Sequence, residues 1–247
     1  MSSLKIFPNT YFGSKFYLRK KILPHIPDFD KFVEPFGGSA EISLQLMLHY
    51  KNLGQRKTFI INDFNTYVIL FHAYMKYYPD LIKEKIKRLT KPEFLELRSK
   101  EQHDEWDIFN LWFNCYQMYM SFRKCDGKFS RPWGNKFSFK PDKIDLCHEL
   151  YNYHDVHFFN KNYKELDYSG DHTFVYLDPP YQQTFVQYSS PFCWEEFENF
   201  LKNLNKKWLL STNLHCQLGK EVEHVQITSG FSRKTPKEKR DEYLFEK

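Results

Sequence analysis

The sequence of 247 residues lacks the features that mark several large classes of protein. Its five cysteines are widely spaced and form no Cys-x-x-Cys pair, which argues against a zinc site or a disulfide framework. It has no run of about 18 apolar residues, and its first residues lack the apolar core of a signal peptide. The Gly-x-Gly-x-x-Gly signature of dinucleotide-binding proteins is also absent. We therefore expect a soluble, cytoplasmic protein without a bound metal.

The composition is that of a folded protein with a modest basic excess. Aromatic residues make up 19% of the chain, including 25 Phe and 17 Tyr, which is typical of globular rather than disordered sequences. The length allows either one domain with a large insertion or two small domains. The formal net charge of +5 permits a polyanionic partner but does not require one.

Residues 173–181 carry the most informative motif. The β-type run Thr173 to Leu177 is followed by Asp178, two prolines and Tyr181. Proline lacks the N–H that a strand needs and fixes φ, so the strand is predicted to end at the acid. Open α/β sheets bind ligands outside the carboxyl ends of their strands. A carboxylate, a carbonyl group and an aromatic ring would suit a planar base with an exocyclic amine; an ordinary turn after a strand is the alternative.

A second group of motifs predicts a site for a ligand that contains a ribose. A short strand ends at residues 34–36, and Gly37 and Gly38 then turn the chain into a helix. A further strand, residues 57–61, is followed by Asp63. A carboxylate at this place in a Rossmann-like fold can accept hydrogen bonds from both ribose hydroxyls. A simple turn or helix cap at Asp63 is the alternative.

Helix signals accompany these motifs. Gly13 and Ser14 mark a loop that turns into a helix, with Ser14 as its N-cap and Pro24 as its end. A helical pattern dominates residues 66–122, where Thr90 opens a capping box.

Basic residues become frequent after residue 121. Residues 121–143 hold seven Lys or Arg against two Asp, with five aromatic residues interleaved. Basic side chains on exposed turns suit contacts with phosphate groups, and arginine can read guanine in the major groove of DNA. A solvated loop whose aromatic side chains dock on the helices is the alternative. A second basic run, residues 233–240, fits a contact with the DNA backbone and a solvated turn equally well.

Together these motifs resemble those of Dam-type S-adenosylmethionine-dependent adenine-N6 DNA methyltransferases. The sequence Asp-Pro-Pro-Tyr at 178–181 resembles their catalytic motif, and the segment from Tyr11 to Lys15 resembles their Tyr-x-Gly-x-Lys segment. The stretch around Phe36 resembles their cofactor loop, shortened by about one residue before the glycines. Residues 123–134 are similar to a segment of their target-recognition domain, with Trp133 in place of a phenylalanine.

The resemblance implies roles for individual residues. The implied catalytic residues are Asp178, Pro179, Pro180 and Tyr181. The residues implied to bind S-adenosylmethionine are Tyr11, Gly13, Lys15, Phe36, Gly37, Gly38, Asp63, Tyr163 and Asp178, with Tyr163 stacking on the adenine of the cofactor. The residues implied to bind DNA are Arg123, Lys124, Lys128, Arg131, Trp133 and Lys136.

The resemblance also implies a domain organisation. The expected fold class is α/β, a Rossmann-like methyltransferase sheet with an inserted, mostly helical target-recognition domain. Residues 1–76 and 155–247 would form a discontinuous catalytic and cofactor-binding domain, and residues 77–154 the target-recognition domain with a basic hairpin. The implied partner is double-stranded DNA, bound by a monomer or weak dimer, with a companion restriction nuclease as a possible further partner.

The implied reaction is site-specific transfer of a methyl group from S-adenosylmethionine to N6 of an adenine that is flipped out of the duplex. Direct transfer needs no covalent intermediate, so no cysteine is predicted to be a nucleophile. Methylation of cytosine N4 or of RNA, and DNA binding by an inactive relative, are the alternatives. The intact Asp-Pro-Pro-Tyr motif argues against an inactive relative.

Overall fold

The computed structural model describes residues 5–8, 13–116, 128–129, 139–181, 192–213, 217–229 and 238–247. Within these residues, seven strands form one mostly parallel sheet that is combined with eight α-helices. This architecture confirms the predicted α/β, Rossmann-like fold class.

The strands are named in chain order. They are β1 (Lys31–Glu34), β2 (Thr58–Asn62), β3 (Cys115–Tyr116), β4 (Lys128–Phe129), β5 (Asp155–Phe159), β6 (Thr173–Leu177), β7 (Lys207–Thr212), β8 (Lys220–Ser229) and β9 (Glu238–Glu246). In space the large sheet has the order β5-β2-β1-β6-β7-β9-β8, and β3 pairs with β4 in a separate antiparallel pair. Strand β9 is antiparallel to both of its neighbours, whereas the other pairings in the large sheet are parallel.

The order of the strands reverses between β1 and β6. From β1 the chain adds β2 and β5 on one side, and from β6 it adds β7 on the other. Lys31 is in register with both Thr58 of β2 and Thr173 of β6, so these three strands end at the same edge of the sheet. The crevice at such a reversal is where open α/β sheets bind ligands. The loops after β1, β2 and β6 are therefore placed to form one site.

The helices surround the sheet. They are α1 (Arg19–Ile22), α2 (Glu41–Asn52), α3 (Thr66–Tyr77), α4 (Pro79–Lys85), α5 (Lys91–Ser99), α6 (Glu105–Asn114), α7 (Pro141–Tyr153) and α8 (Trp194–Asn203). Within the described ranges, no helix has the length and apolar character that crossing a membrane requires.

Alternate residues of the central strands pack into two different cores. In β6, Phe174 and Tyr176 point into the larger core, whereas Val175 and Leu177 point into the smaller one. Helices α2, α3 and α7 contribute to the larger core, and α8 covers the smaller one through buried residues such as Phe197. Because both faces of the sheet are covered, its central strands have continuous apolar sequences rather than alternating ones.

The helix predicted to start at Ser14 begins later than expected. Residues 15–18 form turns, and α1 starts only at Arg19. The Ser14 hydroxyl lies 3.2 Å from the hydroxyl of Ser39, in the loop after β1, instead of capping a helix. The prediction was wrong because this tertiary contact is not visible in the local pattern.

The helical region after α3 agrees with its sequence signals. The predicted capping box at Thr90 is confirmed: the Thr90 N–H donates to Glu93 Oε2 at 2.6 Å, and Thr90 Oγ accepts from the Glu93 N–H at 3.5 Å. Strands β3 and β4 form an antiparallel pair, and the residues between them, 117–127, lie outside the described residues. The basic hairpin expected within residues 121–143 stays a prediction. Helix α7 packs in the larger core through Ile144 and Leu150, so among the described residues this core extends into the region 77–154. The division into domains stays a prediction.

Gly37 occupies a position where a side chain has no room. A Cβ built on it would lie 2.8 Å from Ile61 Cγ2 and 3.1 Å from the Asn62 carbonyl oxygen. We expect Gly37→Ala to lower the free energy of unfolding by about 2–3 kcal/mol, because a backbone carbonyl group must move as well as a side chain. Gly54→Ala is the control, since a Cβ there meets open space and costs only about 1 kcal/mol for its positive φ. Urea unfolding measures both, and equal losses would contradict the predicted clash.

Candidate active site

The motif at 178–181, here called the Asp178 corner, lies at the edge of the sheet where the strand order reverses. Strand β6 ends at Leu177, as predicted, and the corner follows beside the end of β1. Pro179 is buried, whereas 18% of the Asp178 side chain is exposed. The carboxylate therefore sits at the wall of the crevice and remains accessible from it.

The Lys15 ammonium is the centre of a charged cluster at this corner. Its Nζ lies 2.7 Å from Asp178 Oδ1 and 3.4 Å from Glu242 Oε1. It also donates a hydrogen bond to the Tyr181 hydroxyl and lies 4.7 Å from the centroid of the Tyr181 ring. Only 8% of the Lys15 side chain is exposed. The structure thus joins Lys15, which the resemblance assigned to cofactor binding, directly to two of the predicted catalytic residues.

Glu242 is a member of this cluster that sequence reasoning missed. It lies on β9, is buried, and its Oε1 accepts hydrogen bonds from the hydroxyls of Tyr181 and Ser211. The available signal was a carboxylate among the apolar residues near the end of β9, of which Leu244 and Phe245 are buried. Such a group needs hydrogen-bonding partners in the interior.

Burial and pairing oppose each other in the electrostatics of the cluster. Burial raises the pKa of Asp178 to about 6, although the neighbouring Lys15 ammonium acts in the opposite direction. Burial lowers the pKa of Lys15, but the carboxylates of Asp178 and Glu242 outweigh it and hold that pKa above its usual value. At neutral pH we therefore expect a charged ammonium paired with an ionised Asp178.

A tight turn of fixed geometry lies between β1 and α2. The Gly37 N–H donates to the Asn62 carbonyl group at 2.6 Å, and Gly38 has a positive φ of 49°. The Gly38 N–H donates to Asp63 Oδ2, and the Asn65 N–H donates to Asp63 Oδ1, both at 2.8 Å. A carboxylate has about four lone-pair positions, so Asp63 keeps the capacity to accept bonds from hydroxyl groups.

A buried histidine supports this turn from behind. His72 Nε2 lies 2.9 Å from the Gly38 carbonyl oxygen, and His72 Nδ1 lies 2.7 Å from the Tyr151 hydroxyl. A carbonyl group can only accept, so Nε2 carries the hydrogen and Nδ1 accepts from Tyr151. Burial lowers the pKa of His72 to about 4, which keeps the ring neutral at physiological pH. No sequence motif had indicated this contact.

Asn62 ties the neighbouring loops to the same edge. Its Nδ2 donates to the carbonyl groups of Pro35, at 2.8 Å, and of Lys161, at 3.1 Å. Its Oδ1 accepts the Lys161 N–H at 2.9 Å. The chain segments that leave β1, β2 and β5 are thereby fixed to one another.

Aromatic residues follow β1, β2 and β5 at this edge of the sheet. The rings of Phe36 and Tyr163 are 5.3 Å apart, and both also contact Phe197 of α8. Phe64 follows Asp63 directly, and 61% of it is exposed. Phe64 was missed from the sequence, where only its position after the acid marked it.

The structure brings together eight of the predicted site residues in three groups. These groups are Lys15 with Asp178 and Tyr181; Gly37 and Gly38 with Asp63; and Phe36 with Tyr163. Gly13 is exposed, and its carbonyl oxygen lies 3.5 Å from Lys15 Nζ. Tyr11 and the predicted DNA-binding residues lie outside the described residues, except that the backbone of Lys128 pairs with Tyr116. Those that lie outside are Arg123, Lys124, Arg131, Trp133 and Lys136.

Comparison with known proteins relates these features to one family. Residues 11–241 match the family model described as "D12 class N6 adenine-specific DNA methyltransferase". The chain is similar to "Modification methylase StsI" of Streptococcus sanguinis, with 26% identity over 203 residues that cover 74% of this chain and 29% of that protein. It is also similar to "Type II methyltransferase M.CviBI" of Paramecium bursaria Chlorella virus NC1A, with 26% identity over 238 residues that cover 92% and 78% of the two proteins. The chain thus spans less than a third of the first relative and more than three quarters of the second.

The opposing effects on Asp178 give a testable prediction. We expect its carboxyl group to titrate near pH 6, and Lys15→Met to move that midpoint upward by about one pH unit or more, since an opposite charge this close lowers a carboxyl pKa by roughly 1–3 units. Carbon-13 NMR of labelled aspartate measures the midpoint, with Asp178→Asn to assign the signal.

The control is Lys21→Met, which removes a lysine that pairs with the partly exposed Glu223 at 3.3 Å. It should leave the Asp178 midpoint unchanged. An unchanged midpoint in Lys15→Met would show that the ammonium does not control this carboxylate.

Proposed function

The chain belongs to the D12 class N6 adenine-specific DNA methyltransferase family, and from this premise we propose that its Asp178 corner methylates the N6 amine of adenine in duplex DNA. This family agrees with the one that the sequence motifs predict. The observation that carries the proposal is the position of the corner: a partly exposed carboxylate follows β6 at the edge where the strand order reverses, and the turn at Gly37 and Gly38 follows the neighbouring strand β1 at the same edge. Ligands of open α/β sheets bind at that point.

The residues around the turn fit S-adenosylmethionine. Asp63 retains acceptor capacity for the two ribose hydroxyls, and Phe36 and Tyr163 offer aromatic surface for an adenine. We add Phe64 to this set because it is exposed and directly follows Asp63 in the chain. When bound, S-adenosylmethionine would supply a methyl group attached to a positively charged sulfur, and this sulfur is the leaving group of the transfer. The proposed binding residues are Tyr11, Gly13, Lys15, Phe36, Gly37, Gly38, Asp63, Phe64, Tyr163 and Asp178.

Lys15 occupies the position that the target amine requires. In the structure its Nζ donates to Asp178 and to the Tyr181 hydroxyl. An adenine amine has N–H groups for the same acceptor, and adenine has a flat surface for the Tyr181 ring. Entry of the base therefore requires Lys15 to move away from Asp178.

The Asp178 carboxylate and the Pro179 carbonyl oxygen then hold the amine. The lone pair of an aromatic amine is delocalised into the ring, so the nitrogen is a weak nucleophile until its geometry becomes more tetrahedral. Acceptors aimed at the two N–H bonds stabilise the positive charge that develops on nitrogen, by a few kcal/mol for each well-placed group. One of those protons passes to an Asp178 carboxylate oxygen, which leaves a neutral methylated amine. Tyr181 stacks on the base, with its ring oriented by the hydrogen bond to Glu242.

We assign DNA binding to residues 121–143, here called the basic segment. A stacked base cannot reach the corner, so the adenine flips out at a cost of a few kcal/mol, which contacts between basic side chains and phosphates offset. We assign these contacts to Arg123, Lys124, Lys128, Arg131, Trp133 and Lys136. Residues 77–154 form the target-recognition region in this proposal. The protein acts on DNA as a monomer or weak dimer, with a companion restriction nuclease as a possible further partner.

Transfer of a labelled methyl group to unmethylated genomic DNA tests the function, with the modified nucleosides identified by chromatography. We expect label in N6-methyladenine with the wild-type protein. Asp178→Ala should lower the rate at least about a hundredfold, because an acceptor for the developing charge is lost, and should leave DNA affinity within about twofold.

Asp167→Ala is the matched control. Asp167 also pairs with a lysine at 2.7 Å, but that partner is Lys31, at the start of β1 and therefore at the opposite edge of the sheet. It should retain full activity. Labelled N4-methylcytosine, labelled RNA, or DNA binding without methyl transfer would each contradict the proposed function. Equal loss of methyl transfer and DNA binding in Asp178→Ala would contradict the catalytic role assigned to Asp178.

A second prediction concerns the basic segment. Arg123→Ala or Lys136→Ala should weaken DNA binding without a change in cofactor binding. Each substitution should also reduce the magnitude of the slope of log K against log salt concentration by about one, because one phosphate contact is lost. Lys202→Ala is the control, because this exposed lysine lies in the last turn of α8, before β7 starts at the opposite edge. Fluorescence anisotropy at several salt concentrations measures the effect. If the substituted and control proteins bind DNA alike, the segment is not the DNA contact.

A further inference from the structure

We propose that Glu242 is a positioning residue of this site, which receives the Lys15 ammonium when the target base takes the place of Lys15 at Asp178. The inference deepens the proposed function and rests on it, because it is the entering base that displaces Lys15. Glu242 acts through Lys15 and Tyr181, both of which its carboxylate contacts.

Lys15 lies between two carboxylates at unequal distances. Its Nζ is 2.7 Å from Asp178 Oδ1, a direct ion pair, and 3.4 Å from Glu242 Oε1, a looser contact. A small displacement of Nζ toward β9 would therefore exchange the close partner for the distant one. The ammonium keeps a counter-charge throughout such a movement.

The burial of Lys15 makes a second partner necessary. Its side chain is 8% exposed and that of Glu242 is 6% exposed, so little water is available to either group. A buried charge that loses its partner is strongly destabilised. With Glu242 present, the state in which Asp178 is free for the base has a lower free energy than it would have with a neutral residue at 242.

The surroundings hold Glu242 ready for this role. The hydroxyl groups of Tyr181 and Ser211 donate to the same oxygen, Oε1, that faces Lys15. Strand β9 lies between β7 and β8 in the sheet, so its backbone is fixed on both sides. The carboxylate is thus oriented before the base arrives.

Two other titratable groups lie near this cluster: Tyr176 of β6, close to Lys15, and Glu34 at the end of β1, close to Asp178. The Tyr176 hydroxyl of β6 is buried and has no hydrogen-bond partner within the part of the chain that the structure describes. Glu34, at the end of β1, accepts from both the N–H and the hydroxyl of Ser43, and burial raises its pKa to about 8. Neither supplies a free carboxylate at neutral pH, which leaves Glu242 as the alternative partner among the described residues.

A double-mutant cycle tests the inference. The variants are Glu242→Gln, Lys15→Gln and the double substitution, with Glu223→Gln as control, since Glu223 is a carboxylate on β8 that pairs with Lys21. Steady-state methylation of unmethylated genomic DNA gives kcat and KM for each, and thermal unfolding reports integrity. We expect Glu242→Gln to lower kcat about tenfold with KM for DNA within about twofold, because base entry follows DNA binding.

In the Lys15→Gln background, Glu242→Gln should change kcat by less than about twofold, because no ammonium then needs a partner and the glutamine amide oxygen can still accept the hydrogen bond from Tyr181. An equal loss with and without Lys15, or a loss no larger than that of Glu223→Gln, would overturn the inference and leave the proposed function intact. A wild-type protein that transfers no methyl group to adenine would overturn the proposed function itself, so the two failures are distinguishable.

Discussion

One buried ammonium, shared between two carboxylates, connects the three parts of the chain that form the Asp178 corner. Lys15 comes from the turn before α1, Asp178 from the end of β6, and Glu242 from the strand inserted between β7 and β8. None of these charges is stable in the interior alone, so each fixes the position of the others. The strand order, with β9 added beside β7, is what brings a residue near the end of the chain to one near its beginning.

The two halves of the site are held by different forces. Around the turn at Gly37 and Gly38, the side chains of Asp63, Asn62 and a neutral His72 all form hydrogen bonds with backbone groups. These bonds hold the turn in one conformation. At the Asp178 corner, by contrast, one cation has two possible partners. In the proposed function the first half binds a cofactor that is the same in every turnover. The second half must accept a base and release it, which exchangeable ion pairs permit.

The elements that sequence reasoning located are those specified by neighbouring residues. The end of β6 is set by prolines next to an apolar run, and the capping box at Thr90 needs only Glu93 three residues later. The contacts it missed join residues distant in the chain. Lys15 and Glu242 meet because of the strand order, and His72 supports Gly38 because α3 packs beside the turn. The wrong helix start at Ser14 has the same origin, since a contact with Ser39 displaced the local signal.

In the proposed function, Asp178 is shared between Lys15 and the target amine, which would also affect when this carboxylate can accept a proton. With Lys15 beside it, its pKa is already raised by burial to about 6, and the ammonium prevents a further rise. Movement of Lys15 to Glu242 would remove that restraint and raise the pKa of Asp178 further. The carboxylate would then become a better proton acceptor at the moment when the amine has entered. In the absence of a base, at neutral pH, Asp178 would remain ionised and paired, so in this proposal the same ammonium both stabilises the resting site and controls the basicity of Asp178.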